Sequence, residues 1–358
     1  MEKPALHHWR AACAAIGPLD AAAQAAARAR QARLTKPAGS LGRLEALAVQ
    51  AAGVQGRERP RLDHRVIVVM AADHGVAVES VSAYPQAVTA QMVANFVAGG
   101  AAINVLARHA RARLVVVDVG VAGPLPDSPR LRRHPLGPGT ANLAQGPAMA
   151  RAQAEAALDV GVGVIAEESA RGIDVVVLGD MGIANTTAGA AIVAALCGLP
   201  ADAVVGRGTG LDDAGLARKR AVVERALAVN RPDPTDPLDV LAKVGGFEHG
   251  ALAGVALAAA ARRALVVIDG LAAAAAALLA VRLCPPLRDY LVAGHASVEP
   301  GQRAALAALD LVPLLDLDLR LGEGSGGALA LGLLEAAMRL HDEMATFEEA
   351  GVSEREAP

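Results

Sequence analysis

The chain has 358 residues, 53% of them hydrophobic and 20% charged, which excludes a disordered polypeptide. A formal net charge of -3 and a pI near 6.3 leave no basic footprint for a nucleic-acid partner. Aromatic residues make up only 2%, so no stacking platform for single strands is available and the core must be built from Ala, Val, Leu and Gly.

Residues 1 to about 57 read as helix, in "LDAAAQAAARARQARL" and "SLGRLEALAVQAAG", with a Pro/Gly break at "TKPAGS" between them. No basic-then-apolar leader is read at the start, because Glu2, His7, His8 and Arg10 interrupt it. Cys13, Cys197 and Cys284 form no CxxC, which disfavours a disulfide framework or structural zinc and fits a reducing, cytoplasmic compartment.

The middle of the chain alternates apolar runs with Ala-rich helical stretches. The runs are 66–71, 114–120, 174–180, 203–206 and 265–270, with weaker ones at 290–295 and 312–317. Short β-branched runs without alternation, joined by helical spacers, predict a parallel sheet with both faces covered. The stretch from Ala264 to Val281 reads as a buried strand, a turn and a buried helix, and no membrane partner is expected. From Gly327 onward the chain is again helical, and the tail "EEAGVSEREAP" is charged and frayed. The length suits one large domain with a smaller appendage.

Polar residues collect at the carboxyl ends of the runs: Asp73 and His74, Asp118, Asp180, Asp269 and His295. That edge binds ligands in open parallel sheets. Glycine-rich segments lie nearby, at 178–187, 205–213, 243–248, 294–301 and 320–327. Such segments either form βα turns or let a phosphate approach backbone N–H groups, and their number favours a phosphate or nucleotide ligand. No P-loop or G-x-S-x-G elbow is present, and "GVGVIA" (161–166) sits inside a helical stretch. Asp73–His74 is either a turn or part of a metal site. Glu323, flanked by glycines before an apolar helix, is either favoured there by the helix dipole or placed as a general base.

Seven segments occur in order: "TKPAGSLGRLEALA", "AADHGV", "GDMGIANTT", "GRGTGLDD", "KVGGFE", "GHASVEPG" and "RLGEGSGGALAL". Together they resemble the nicotinate-nucleotide–dimethylbenzimidazole phosphoribosyltransferase family, from about residue 16 to 340. The resemblance implies a Rossmann-like parallel sheet with helices on both faces (61–334) and a small helical domain from both chain ends (1–60 with 335–358). It implies a homodimer that moves the 5-phosphoribosyl group of nicotinate mononucleotide onto 5,6-dimethylbenzimidazole, releasing nicotinate, with no metal or organic cofactor. Glu323 would be the base and Asp180 a supporting carboxylate. Phosphate and ribose would meet Gly179, Gly182, Asn185, Thr186, Thr187, Gly206, Gly208, Thr209 and Gly210, with Ser297 and Gly322 closing the pocket. Lys219 would pair with the phosphate or an acidic neighbour, or else be a solvated helix residue. The acceptor base would lie among Tyr84, Pro85, Met92, Met181 and Leu321.

Two positions depart from the family pattern. Asp180 stands where the family commonly has Glu, which retracts the carboxylate by about one C–C bond. Ala296 lacks an aromatic ring, which predicts tolerance of other benzimidazoles or purine-like bases. Competing readings are a metal-dependent phosphohydrolase built on Asp73 and His74, and a non-catalytic nucleotide-binding protein.

Overall fold

Residues 8–353 are described by the structure, a computed structural model. The leader reading at residues 2 and 7, and the end of the charged tail (354–358), lie outside the described residues.

Six of the strands form one sheet: β1 (Arg65–Ala72), β2 (Arg113–Gly120), β3 (Leu131–Arg133), β4 (Val175–Met181), β5 (Leu265–Ile268) and β6 (Leu291–Ala293). Their order is β3-β2-β1-β4-β5-β6, and every neighbouring pair is parallel. β1 and the first six residues of β4 are buried throughout, as continuous apolar runs require when helices cover both faces. This order reverses direction between β1 and β4, and a crevice opens outside their carboxyl ends. β7 (His295–Ser297) and β8 (Leu315–Leu319) pair separately beside that edge.

Two strand readings need correction. The run 203–206 is not a strand: Ala201–Val204 is a single helical turn entered from Pro200. Proline fixes the backbone for a helix start there, and four residues are too few for periodicity to tell strand from helix. β3 was not foreseen, because a three-residue edge strand carrying two arginines has no apolar signature. The stretch from Ala264 to Val281 does form β5, a turn and helix Leu271–Leu283.

Helices Asn185–Cys197, Phe247–Ala261 and Leu271–Leu283 are buried nearly all round, which is how an Ala-rich chain fills its core. Small residues substitute backbone proximity for side-chain bulk. A Cβ on Gly254 would lie 2.0 Å from the Leu158 carbonyl oxygen, so helices Phe247–Ala261 and Arg151–Ser169 cross almost in backbone contact.

At the chain ends, helix Ala21–Arg33 packs on helix Arg43–Gln55, which packs on helix Ser325–Glu343. The buried Arg30 ties the ends together. Its Nε donates to the His341 carbonyl (2.7 Å) and its terminal nitrogen to those of Asp342 (2.8 Å) and Met344 (3.1 Å). These are orphan carbonyls of a helix C-terminus, and a guanidinium satisfies several at once. All three cysteines are free, and Cys284 Sγ contacts the Cys13 carbonyl at 3.6 Å, so these two are neighbours despite their separation in sequence.

Candidate active site

A cavity of about 380 Å³ opens at the carboxyl edge of β4. Asp180 is the penultimate residue of β4, and the chain turns through Ala184, a non-glycine residue at φ 71°, into helix Asn185–Cys197. The tight turn folds Asn185 back so that its Nδ2 donates to Asp180 Oδ2 at 2.7 Å. Across the cavity, Gly322, Glu323 and Gly324 occupy the left-handed region at φ 85°, 64° and 90°, and present the Glu323 side chain to the space. Glu323 Oε2 accepts the Ile103 main-chain N–H at 3.2 Å, and the Glu323 N–H donates to the Asp180 carbonyl at 3.2 Å.

Most of the predicted residues meet here. Tyr84, Met92, Asp180, Met181, Gly182, Asn185, Thr186, Gly208, Thr209, Ser297, Leu321, Gly322 and Glu323 all line the cavity. Six others are not in its wall. Pro85 is exposed, next to Tyr84 in the chain. Gly179 lies in β4 beneath the turn, where a Cβ would come within 2.6 Å of the Glu323 carbonyl oxygen. Gly206 plays the same part against Glu299, whose carboxylate a Cβ would meet at 2.5 Å. Thr187 is fully buried, and Gly210 sits in the turn before helix Asp213–Asn230. Ala296 is buried outside the lining, so it does not decide the shape of the slot.

Of the alternatives for Lys219, the solvated helix residue does not hold. Lys219 is fully buried, with Nζ 2.8 Å from Thr186 Oγ1 and 3.2 Å from the Gly206 carbonyl. It stands one residue layer behind the wall and supports both the GRGTG turn and Thr186.

Sequence reasoning missed Glu299, Arg320 and the helix start at Gly270–Ala272 as cavity residues. Glu299 lay inside the quoted "GHASVEPG" segment, and its position before a helix-starting proline was the available signal. Its Oε1 accepts the Gly208 N–H at 2.8 Å, which locks the GRGTG turn. Thr209 Oγ1 in the same turn accepts the Ala83 N–H at 3.0 Å, fastening the segment that carries Tyr84.

Burial governs the electrostatics. Loss of solvent, reinforced by the Asp269 charge and opposed by the Asn185 hydrogen bond, pushes the Asp180 carboxyl from 3.8 up to about 7. Burial also raises Glu323, helped by Asp269 and opposed by the Ile103 N–H. Lys219 is pulled from 10.5 down to about 8 by burial, against the Glu299 charge. Two carboxyls held above their ordinary range in one cavity take up a proton more readily than free carboxylates do.

Asp73 and His74 are used elsewhere. Asp73 Oδ2 accepts the Ala122 N–H at 2.8 Å, and His74 Nε2 lies 2.7 Å from Glu248 Oε1. His249 Nδ1 is 2.8 Å from the same oxygen. Burial would raise Glu248, but the two histidines outweigh it and hold the carboxyl far below its ordinary range. His74, Glu248 and His249 are the candidate metal-ligand group among the described residues, with ligand atoms within 4.8 Å of one another. None of the three lines the cavity, so a metal there would not face a substrate held in it.

A family profile described as Phosphoribosyltransferase matches residues 16–352. The nicotinate-nucleotide–dimethylbenzimidazole phosphoribosyltransferase of Roseiflexus sp. (strain RS-1) is 60% identical over 340 residues, covering 95% of this chain and 96% of that one. The protein of the same name from Geobacter sulfurreducens (strain ATCC 51573 / DSM 12127 / PCA) is 53% identical, covering 95% and 96%. A crystal structure of CobT from Thermus thermophilus superposes with a TM-score of 0.90 at 54% identity, covering 93% of this chain and 99% of that one. Matches of this identity and coverage include the strands, turns and helix starts that build the cavity, and the chain belongs to the nicotinate-nucleotide–dimethylbenzimidazole phosphoribosyltransferase family.

Proposed function

We propose that this protein transfers the 5-phosphoribosyl group of nicotinate mononucleotide to 5,6-dimethylbenzimidazole, giving α-ribazole 5′-phosphate and nicotinate, a step of cobalamin lower-ligand synthesis. The observation that carries the reading is the meeting of Glu323 and Asp180, both buried and both raised, across one cavity with an apolar slot at its mouth.

The pyridinium nitrogen of the donor is already positive, so it departs as neutral pyridine and needs no acid. One imidazole nitrogen of the acceptor attacks the ribose carbon while the C–N bond to nicotinate breaks. The other nitrogen loses its proton, and Glu323 accepts it. The Asp180 carboxylate stabilises the positive charge that builds on the ribose, and this cationic partner draws it to its ionised form. Inversion from a β donor to an α product fits one in-line displacement with no covalent sugar intermediate.

The phosphate and ribose lie along Gly182, Asn185, Thr186, Gly208, Thr209, Ser297 and Gly322. Lys219 acts through Thr186 and Gly206, and Gly179, Gly206, Gly210 and Thr187 shape the turns behind them. The flat base occupies the slot of Tyr84, Met92, Met181 and Leu321, with Pro85 next to Tyr84 in the chain. Tyr84 and Leu321 are 55% and 57% exposed at the mouth, which supports a second subunit covering it in a homodimer. Of the helical ends, 1–60 with 335–358, the described residues 8–60 and 335–353 form the small domain, and the enzyme works in the cytoplasm.

The test is to incubate purified protein with nicotinate mononucleotide and 5,6-dimethylbenzimidazole and follow both products by mass spectrometry. Equimolar nicotinate and ribazole phosphate, insensitive to a chelator, is the expected result. Binding of the nucleotide without nicotinate release would instead make the chain a binding protein, and chelator-sensitive phosphate release would make it a hydrolase.

A further inference from the structure

Asp269 follows β5, is fully buried, lies outside the cavity wall, and has no part in the reaction as written above. Its Oδ2 accepts the Gly324 N–H at 3.0 Å, and its Oδ1 accepts those of Gly326 at 2.7 Å and Gly327 at 3.0 Å. His295 Nε2 stands 3.3 Å from the same Oδ1. The three N–H groups belong to the start of helix Ser325–Glu343, where the backbone has no intrahelical acceptor for them and the dipole favours an anion. The N-cap is Gly324, which has no side chain to satisfy them, so a carboxylate from another strand does.

The consequence falls on the preceding residue. Glu323 is a non-glycine residue at φ 64°, flanked by two glycines that are also left-handed. Such a conformation is strained for a residue with a side chain and persists only where its surroundings over-determine it. Two anchors bracket Glu323: the Asp180 carbonyl takes its N–H at 3.2 Å, and Asp269 takes the N–H of the next residue. Asp269 is itself held, since Gln302 Nε2 donates to its carbonyl at 3.1 Å and to that of His295 at 2.7 Å.

We infer that Asp269 is the positioning residue for Glu323: its carboxylate clamps the helix start so that the strained turn points the Glu323 carboxylate at the acceptor base. The inference rests on Glu323 being the base. Asp269 acts through charge as well as geometry. The titratable and charged groups in the cavity wall with Glu323, or directly behind it, are Asp180 from β4, Asp269 just after β5, His295 from β7, Glu299 before helix Pro300–Ala308 and Arg320 from the same loop. Of these, Asp269 adds to burial in raising Glu323.

Asp269→Asn tests both parts. The amide has one acceptor oxygen where the carboxylate has two, and its NH₂ would face a backbone N–H. Turnover should fall by about 10- to 100-fold, the cost of a base displaced by about an ångström, while KM for nicotinate mononucleotide stays within about threefold. The acid limb of the kcat–pH profile should move to lower pH, a change that loss of folded protein alone does not produce. A folded variant with wild-type kcat and an unmoved acid limb overturns the inference, as does a drop in folded fraction with no shift of the limb. If Asp269→Asn does not fold, Gln302→Met loosens the same residue from behind; because Gln302 Oε1 also accepts the Ser297 N–H at 3.1 Å, KM shifts with it and the readout is kcat at saturating nucleotide, which should fall several-fold, and unchanged kcat there overturns the inference too. Glu323→Gln, run in parallel, separates the two claims. Wild-type turnover in Glu323→Gln removes the base reading itself, whereas an inert Glu323→Gln beside a fully active Asp269→Asn removes only the clamp.

Discussion

Asn185 Nδ2 donates to Asp180 Oδ2 at 2.7 Å, and the other carboxylate oxygen, Oδ1, is buried with no hydrogen-bond partner. A half-satisfied carboxylate under the cavity floor is costly while ionised and ready to pair with a cation when one arrives. The amide reaches back to the carboxylate through the left-handed turn at Ala184.

This makes stability depend on pH in a defined direction. The Asp180 carboxyl titrates at about 7 in the folded chain against 3.8 ordinarily, so the folded state holds its proton longer than the unfolded state. Its contribution is full below the ordinary value and is lost as pH rises through about 7. Asp180→Asn should remove that loss. Thermal melts across this range should show the variant gaining on wild type as pH rises, by at most about 4 kcal/mol. A difference that does not change with pH would refute the assignment.

Glu323→Gln keeps the shape and the Ile103 contact but cannot take a proton. Turnover should fall by roughly a hundredfold or more, with nucleotide affinity by calorimetry little changed. In the wild type, the acid limb of kcat should lie above the range of an ordinary glutamate, because burial and Asp269 both raise Glu323.

Lys219→Met retains the buried stem and removes the ammonium from Thr186 and the GRGTG turn. KM for nicotinate mononucleotide should rise by about tenfold or more, with kcat affected less. Steady-state kinetics with varied nucleotide would reject the role if kcat alone changed.

Met181→Ala widens the acceptor slot. kcat/KM should fall by about tenfold for 5,6-dimethylbenzimidazole and by less for unsubstituted benzimidazole, since a methyl group in an apolar slot is worth roughly 1–3 kcal/mol. Equal losses for the two acceptors would show that Met181 does not contact the methyl groups.

The strands were legible where burial on both faces left an unbroken apolar run, as in β1 and β4. β3 was hidden because its pairing is decided by the neighbour β2 and not by its own residues. The run 203–206 reads as a strand because four residues fit either periodicity, whereas Ala201–Val204 is a helical turn. Lys219 was ambiguous because "ARKRAVVER" reads as a charge run, and the spacing that puts Lys219 on the face of Val222, Val223 and Ala226 was the overlooked signal for its burial.

By its own residues the chain determined a parallel α/β fold, the edge at which the site forms, and the family, because periodicity and glycine-rich turns are local in sequence. It also determined that an aromatic-poor core would rely on backbone proximity, as at Gly254 and Leu158. Only the tertiary structure decided which carboxylate does what. Asp180, Asp269, Glu299 and Glu323 are alike as letters. Their burial and their partners on other segments set Asp269 against the start of helix Ser325–Glu343, Glu299 against the GRGTG turn, and Asp180 and Glu323 across the cavity from each other. Ionisation is set by solvent access and by charges a few ångströms away, and those distances span segments from Ile103 to Gly327 that no local pattern brings together.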